Sequence, residues 1–225
     1  MKKLVLHLLF FVIVAGDLVG EYLQNSQIDH VFKPLIMIWI GAYFLLYSKN
    51  IDKKIVQMAV MAFVFSWIGD LLMMFSDEFG FFVGGIIAFL SAQVFYIFLF
   101  LHTIHLSGKR PYLKKNPFWL LAYLAYGIIM YILFFPHLSE VLRVAVFIYI
   151  VAILTMSALA LNRYGNGHPF SFTLVFTGSL LFVFSDSLIA VNRFLFAIPY
   201  EGLLVMTTYI GAQYLIMRGL LMQYK

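Results

Sequence analysis

The sequence contains no cysteine and few charged residues. None of its 225 residues is Cys, and only 11% are Asp, Glu, Lys or Arg. The missing thiols exclude disulfide bonds, zinc–thiolate centres and cysteine nucleophiles. Soluble domains are about 25% charged and about 45–50% apolar, whereas this chain is 64% hydrophobic, with a mean hydropathy of +0.97. The composition therefore predicts an integral membrane protein.

Several common signatures of catalysis are also absent. The sequence has no Walker loop, no glycine fingerprint for a dinucleotide and no serine-centred nucleophile elbow. Its histidines show no i, i+4 arrangement with a carboxylate of the kind that binds a metal ion on a helix. We therefore expect neither a metal site nor a cofactor.

Long apolar runs separated by polar turns fill the chain. A bilayer core of about 30 Å needs roughly 20 apolar residues per helix, and the runs do not alternate as barrel strands do. The predicted fold is all-α: a polytopic membrane bundle of about eight transmembrane helices, with residues 1–225 as a single transmembrane domain. The first run lacks a clear cleavage site, so it is expected to be retained. The predicted spans are residues 4–20, 31–48, 55–75, 80–104, 117–135, 139–161, 170–192 and 201–222.

The basic residues are distributed unevenly between the two sides of such a bundle. Eight spans put both termini on one side, together with all of the 15 Lys and Arg residues except Lys33, Arg143 and Arg193. The positive-inside rule then predicts cytoplasmic termini, in a bacterial-type plasma (inner) membrane. The basic residues anchor loops beside anionic lipid. We therefore expect membrane lipids and not nucleic acid as partners, and nothing in the sequence indicates the oligomeric state.

Three aspartates lie inside predicted spans. Asp17, Asp70 and Asp186 occupy the first, third and seventh spans, which all run outward, and each falls in the outer part of its helix. Asp70 and Asp186 lie at matched depth, roughly 8 Å below the outer ends. A charge in lipid costs at least about 2.5–3.5 kcal/mol, so such residues normally face the interior and carry function. Alternatively, each merely joins helices by hydrogen bonds or pairs with a nearby cation.

Further polar residues lie at mid-depth or near the outer face. Tyr209 and Gln213 are four residues apart and so share one helical face. Ser185 is a small residue that lets a neighbouring helix or a ligand approach Asp186 closely. Lys33 is either a snorkelling anchor or part of a headgroup site. The remaining candidates are Gln93, Tyr96, Tyr149 and Arg193.

Several stretches, spread over nearly the whole chain, form a recognisable series of motifs. They are Lys33-Pro34, WIGDLLMM (67–74), the Gly85, Phe89 and Tyr96 series, Tyr149, SLLFVFSDSLIAVNRF (179–194) and TTYIGAQYLI (207–216). This series resembles the YhhN family of membrane proteins, whose characterised animal members are lysoplasmalogenases. Where the family often has His in the fourth span, this chain has Gln93, so a proton-transfer role does not carry over to that position.

The resemblance implies hydrolysis of the vinyl-ether bond at sn-1 of a lysoplasmalogen, a lysophospholipid held within the bilayer. Protonation of the vinyl β-carbon gives an oxocarbenium ion that water captures, which needs one protonated and one ionised group, as in a glycosidase pair. Two carboxyl groups in a low-dielectric pocket can supply both without a cofactor. Asp70 and Asp186 are therefore the predicted acid/base pair. The predicted substrate-binding residues are Asp17, Lys33, Gln93, Tyr96, Tyr149, Ser185, Arg193, Tyr209 and Gln213.

Two other functions use the same residues. A proton-coupled carrier of a small amphiphile would employ the buried aspartates as protonation sites, and paired helix interruptions would favour it. A non-enzymatic lipid-binding protein is the third interpretation, for which the sequence offers no positive sign.

Overall fold

The computed structural model describes residues 2–224 and is helical along most of that length. Eight long helices lie where the apolar runs predict them, with a short helix, α5, before the fifth of them and a 3₁₀ turn at Phe135–His137 after it. The helices are α1 Lys2–Leu23, α2 Ser26–Tyr47, α3 Lys53–Met73, α4 Phe79–Ser107, α5 Tyr112–Lys115, α6 Trp119–Phe134, α7 Glu140–Asn162, α8 Pro169–Phe194 and α9 Glu201–Gln223.

Short polar residues in the turns set the helix ends. The Asn25 side chain accepts hydrogen bonds from the backbone N–H groups of Gln27 and Ile28, and so caps the start of α2. Asp52 caps α3 in the same way. Gly108 ends α4 in the left-handed conformation, with φ of 63°, which glycine adopts without steric cost.

Seven helices within residues 2–224 are long and apolar enough to cross a membrane, namely α1, α2, α3, α4, α6 with its following turn, α7 and α8. The eighth long helix, α9, is more polar yet runs the full length of the bundle. Near its start, Gly202 lies against Glu21 at the end of α1. Near its end, Arg218 donates to the Tyr43 hydroxyl group in the last turns of α2 at 3.2 Å. The all-α, multi-pass membrane bundle is thus confirmed, whereas its orientation stays a prediction.

Glycines allow α8 and α9 to pack closely. A methyl group on Gly178 would lie 2.8 Å from the carbonyl oxygen of Ala212, and one on Gly219 would lie 2.9 Å from the carbonyl oxygen of Ser171. The Ser171 hydroxyl group donates to the Gly219 carbonyl oxygen at 2.7 Å. Small residues at membrane helix interfaces permit this approach, so α9 is fixed against α8, which carries Asp186.

Helix α6 lies at the periphery. It packs mainly against α7. Only 11% of its apolar membrane-spanning segment is buried inside the protein, compared with 44% of that of α7. The main core of buried apolar residues is formed instead by the other long helices, and a smaller cluster around Phe82 and Phe134 joins α4 to α6 near the outer end. The peripheral position of α6 leaves space between it and α8.

Candidate active site

The predicted pair of aspartates faces one polar cavity. Asp70 on α3 and Asp186 on α8 both line a space of about 190 Å³ at the predicted outer end of the bundle. A single water molecule needs roughly 10–15 Å³, so the cavity has room for water together with part of a ligand. The other lining residues are Glu21, Lys33, Met73, Ser76, Phe89, Ser185, Ile189, Glu201, Gly202, Val205, Met206 and Tyr209.

A tyrosine on α9 holds Asp70. The Tyr209 hydroxyl group donates a hydrogen bond of 2.9 Å to Oδ2 of Asp70, and both side chains are buried. A methyl group on Gly69 would lie 2.8 Å from the Phe89 ring, so α4 approaches α3 closely beside the aspartate. The Asp70 carboxylate is therefore oriented by a hydroxyl group and enclosed by helices α3, α4 and α9.

A second tyrosine holds Asp186. The Tyr149 hydroxyl group on α7 donates a hydrogen bond to Oδ2 of Asp186. Gln93 on α4 lies beside the Tyr149 hydroxyl group, and its buried amide nitrogen and oxygen make no hydrogen bond to any residue within 2–224. The two carboxylates thus have matching environments, each with one tyrosine donor on a different helix.

Two of the predicted substrate-binding residues, Tyr96 and Gln213, lie below the cavity and join helices there. The Tyr96 hydroxyl group donates to Oε1 of Gln213 at 2.5 Å, and Nε2 of Gln213 donates to the Ser66 hydroxyl oxygen at 2.9 Å. These buried bonds connect α4, α9 and α3. Tyr96 and Gln213 are not among the residues that line the polar cavity; they fix the helices that carry Asp70 and Tyr209.

Lys33 enters the cavity in an ion pair that the sequence does not reveal. Its Nζ lies 2.6 Å from Oε1 of Glu21, and the side chains are only 17% and 13% exposed. Asp17 is fully buried nearby, and neither of its oxygens has a hydrogen-bond partner within residues 2–224. One oxygen each of Asp17, Glu21 and Asp29 lies within 4.8 Å of the others, an arrangement of carboxylates able to hold a cation. Asp17 does not line the polar cavity.

Arg193 and Ser185 both donate hydrogen bonds to backbone carbonyl groups. The exposed Arg193 donates to the carbonyl oxygen of Ser76 at 3.4 Å and lies 4.7 Å from the centre of the Phe82 ring, outside the cavity lining. Ser185 lines the cavity, but its hydroxyl group donates to the carbonyl oxygen of Val205 at 3.1 Å. It therefore joins α8 to α9 beside Asp186.

An apolar cavity meets the polar one at Asp186. A space of about 90 Å³ lies between α4, α6, α7 and α8, and Met73, Phe89, Asp186 and Ile189 line both cavities. Asp186 therefore stands at a boundary with charged groups on one side and hydrocarbon side chains on the other. An amphiphile bound across the boundary would place the link between its head and its chain beside this carboxyl group.

The arrangement can perform acid/base chemistry on such a link. Two carboxyl groups on one water-accessible cavity, each held by a hydroxyl donor, are the groups that general acid/base cleavage of an acetal-like or ether bond requires. The same cavity contains Lys33 as a cation and Glu21 and Glu201 as anions. It is thus equipped for a polar ligand with charges of both signs.

Comparison with known proteins agrees with the sequence motifs. The YhhN family model matches residues 28–220. Lysoplasmalogenase TMEM86A of Bos taurus is 30% identical over 191 residues, which are 81% of this chain and 73% of that protein, and its Homo sapiens counterpart is 29% identical over the same shares. Lysoplasmalogenase TMEM86B of Sus scrofa is 32% identical over 155 residues, or 69% of this chain and 59% of that protein. No solved structure matches the chain. The predicted resemblance is confirmed: this chain belongs to the YhhN family.

Proposed function

We propose that the protein is a lysoplasmalogenase-like hydrolase that cleaves the sn-1 vinyl-ether bond of lysoplasmalogens. The single observation that carries the proposal is the position of Asp186. This residue lines the polar cavity together with Asp70, and it also lines the apolar cavity on its other side. A lysoplasmalogen has a charged headgroup, an alkenyl chain and the scissile bond between them. The similarity to proteins named lysoplasmalogenase supports the same substrate class.

The division of roles follows from the two sides of the site. Asp186, next to the apolar cavity, is assigned as the acid that donates its proton to the β-carbon of the vinyl ether. Asp70, within the polar cavity, is assigned as the carboxylate that stabilises the resulting oxocarbenium ion and accepts a proton from the attacking water. The hemiacetal then collapses to a fatty aldehyde and a free sn-1 hydroxyl group. One water molecule is consumed, and the two carboxyl groups return to their initial states by exchanging the proton through the cavity.

The charges of the cavity fit a zwitterionic headgroup. Lys33 is available to the phosphate, and the carboxylates of Glu21 and Glu201 are available to an ammonium group. Glycerophosphoethanolamine or glycerophosphocholine is then the second product. The proposal places the protein in a bacterial-type plasma membrane with both termini on the cytoplasmic side. The polar cavity then opens toward the outer face.

A direct test uses the full-length protein purified in detergent. Lysoplasmalogen, its saturated-ether analogue and an ester lysophospholipid are supplied separately, and aldehyde release is measured. We expect aldehyde from the vinyl ether alone, and its loss in Asp70→Asn and Asp186→Asn. The matched control Asp77→Asn alters an exposed aspartate in the turn after α3 and should retain activity.

Absence of aldehyde from all three lipids would overturn the proposal. Flux of an amphiphile across proteoliposomes, abolished by the same two substitutions, would instead establish a carrier. The continuous helices α3 and α8 argue against that alternative, because carriers typically bind substrate at interrupted helices.

A further inference from the structure

A lateral groove runs along α6 and α8 on the side away from the polar cavity. It encloses about 670 Å³, and its walls are apolar and aromatic side chains that include Trp119, Ala122, Phe172, Phe176 and Leu180. The groove exists because α6 packs mainly against α7 and leaves the face of α8 uncovered. It is open to the region that the bilayer occupies.

The groove continues into the site through the apolar cavity. Tyr126, Leu154 and Val183 line both the groove and the 90 Å³ cavity, and Asp186 lines both that cavity and the polar one. The three spaces therefore adjoin one another in series, from the polar cavity through Asp186 to the groove. Beyond Asp186, the lining within residues 2–224 is hydrocarbon and aromatic, apart from the hydroxyl groups of Ser187 and a few tyrosines and the indole N–H of Trp119.

The series of spaces is long enough for a fatty chain. Phe172 in the groove and Asp186 in the site are 14 residues apart on α8, which is about 21 Å at 1.5 Å per residue. One leaflet occupies about half of the roughly 30 Å hydrocarbon core. A chain that fills one leaflet, about 15 Å, thus fits within the length of α8 between Asp186 and Phe172.

One hydrogen bond lies where the groove meets the apolar cavity. The Ser187 hydroxyl group donates its proton to the carbonyl oxygen of Val183 at 2.6 Å, so its oxygen accepts from the Tyr126 hydroxyl group, also at 2.6 Å. Within residues 2–224, this is the one side-chain hydrogen bond that links α6 to α8. It lies next to Asp186 in the chain and joins the loosely packed helix to the helix that carries the acid.

We infer that the groove is the binding site of the substrate's fatty chain, which enters sideways from the bilayer when the Tyr126–Ser187 bond opens. The occupant is a single long alkenyl chain with its glycerol end at Asp186. The inference rests on the proposed function, since it assigns the chain of that substrate. It makes the groove, and not the polar cavity, the part of the protein that selects chain length.

Chain-length selectivity tests the groove. Ala122→Trp fills the groove from α6, whereas the matched Ala125→Trp places the same side chain on an exposed alanine of α6 outside the lining. Rates are compared for hexadecenyl and octenyl lysoplasmalogens. We expect Ala122→Trp to lower the long-chain to short-chain rate ratio about tenfold, as overfilling of a packed site does, and Ala125→Trp to leave the ratio unchanged. Equal ratios in both variants would overturn the inference.

Photolabelling provides a readout that does not depend on hydrolysis. The probe is a saturated-ether lysophospholipid with a diazirine near the end of its chain, supplied to the full-length protein in lipid nanodiscs. We expect labelled peptides from residues 119–126 and 172–184, with competition by the unlabelled lipid and loss in Ala122→Trp. Labelling spread evenly over the exposed faces of α1 and α6 would contradict the groove.

The two proposals fail in different ways. Labelling of the groove without aldehyde release would support the groove as a lipid-chain site and contradict the hydrolase function. Aldehyde release without labelling of the groove would support the hydrolase function and contradict the groove as the chain-binding site. Ser187→Ala tests whether the Tyr126–Ser187 bond restricts entry of the chain. We expect kcat/KM for the long-chain substrate to rise about two- to tenfold, because the variant removes the net contribution of one hydrogen bond. A lower kcat with unchanged labelling would show that the bond orients Asp186 and does not close the groove.

Discussion

The hydroxyl group of Tyr209 on α9 lies 2.9 Å from Oδ2 of Asp70 on α3, although 139 residues separate them in the chain. Tyr149 on α7 contacts Asp186 on α8 in the same manner. Each proposed catalytic carboxylate is therefore held by a tyrosine from another helix. Because both tyrosines donate, they favour a fixed orientation of the carboxyl groups toward the shared cavity.

Removal of either tyrosine hydroxyl group should impair catalysis more than binding. Tyr209→Phe deletes a hydrogen bond to the Asp70 carboxylate, and bonds to charged groups contribute roughly 1.5–3 kcal/mol. Tyr149→Phe deletes a hydrogen bond to the protonated Asp186 carboxyl group, and bonds between neutral groups contribute roughly 0.5–1.5 kcal/mol. We expect kcat for vinyl-ether cleavage to fall about 10- to 100-fold in Tyr209→Phe and about two- to tenfold in Tyr149→Phe, with a smaller change in KM, in a steady-state assay of aldehyde release.

A matched control separates this effect from loss of folding. Tyr22→Phe removes the hydroxyl group from an exposed tyrosine of α1 and should leave kcat unchanged. A result in which Tyr209→Phe raises KM alone, with kcat preserved, would assign Tyr209 to substrate binding instead of orientation of Asp70.

Lys33 should discriminate in favour of substrates with a phosphate group. It lines the cavity beside Glu21, and its side chain is only 17% exposed. Loss of a charge-assisted contact costs roughly 1.5–3 kcal/mol. We therefore expect Lys33→Met to raise the KM for lysoplasmalogen about 10- to 100-fold, while the KM for an alkenylglycerol without phosphate changes little. Lys115→Met, on the opposite side of the membrane, is the control.

An equal rise in KM for both substrates would indicate that Lys33 contributes to folding through its ion pair with Glu21 and does not bind the phosphate group. Lys33→Arg keeps the charge and the ion pair, so it should recover most of the affinity for the phosphate-bearing lipid. A phosphate role requires that recovery.

Asp52 links the start of α3 to α4 at the predicted cytoplasmic end of the bundle. Its Oδ1 accepts from the backbone N–H groups of Lys54 at 2.9 Å and Ile55 at 3.3 Å, and lies 3.2 Å from Nε2 of His102. Partial desolvation opposes ionisation, but these hydrogen bonds outweigh it and hold the pKa of Asp52 below its ordinary value of 3.8. A lowered pKa stabilises the folded state above the unfolded value, and this stability is lost as pH falls through the folded value.

Thermal unfolding in detergent should reveal this contribution. We expect Asp52→Ala to lower the Tm by a few degrees at pH 7, because both the helix cap and the histidine contact are lost. Asp52→Asn keeps a capping oxygen and should lower it less. The difference between Asp52→Asn and the wild type should shrink below about pH 4, where the carboxyl group becomes protonated; a difference that persisted at pH 2 would contradict an ionic contribution.

The sequence predicts the helices and the proposed catalytic aspartates but not the partners of those aspartates. Hydropathy and buried charge locate eight spans and single out Asp70 and Asp186, because both signals are local. The Tyr149–Asp186 and Lys33–Glu21 contacts depend on the rotation and neighbours of each helix, which an almost uniformly apolar surface does not encode. Arg193 is an example: the sequence places it among the predicted substrate-binding residues, whereas its position around α8 directs it to Phe82 and Ser76.

The absence of cysteine makes the orientation directly testable. The wild-type chain has no thiol, so a single introduced cysteine is the sole target for a membrane-impermeant maleimide. The exposed residues Asp77, between α3 and α4, and Lys115, at the end of the short helix α5 before α6, lie on opposite sides in the predicted topology. In intact cells we expect labelling of Asp77→Cys, and labelling of Lys115→Cys only after permeabilisation. The reverse pattern would put the polar cavity at the cytoplasmic face, and lipid would then reach the site from the inner leaflet.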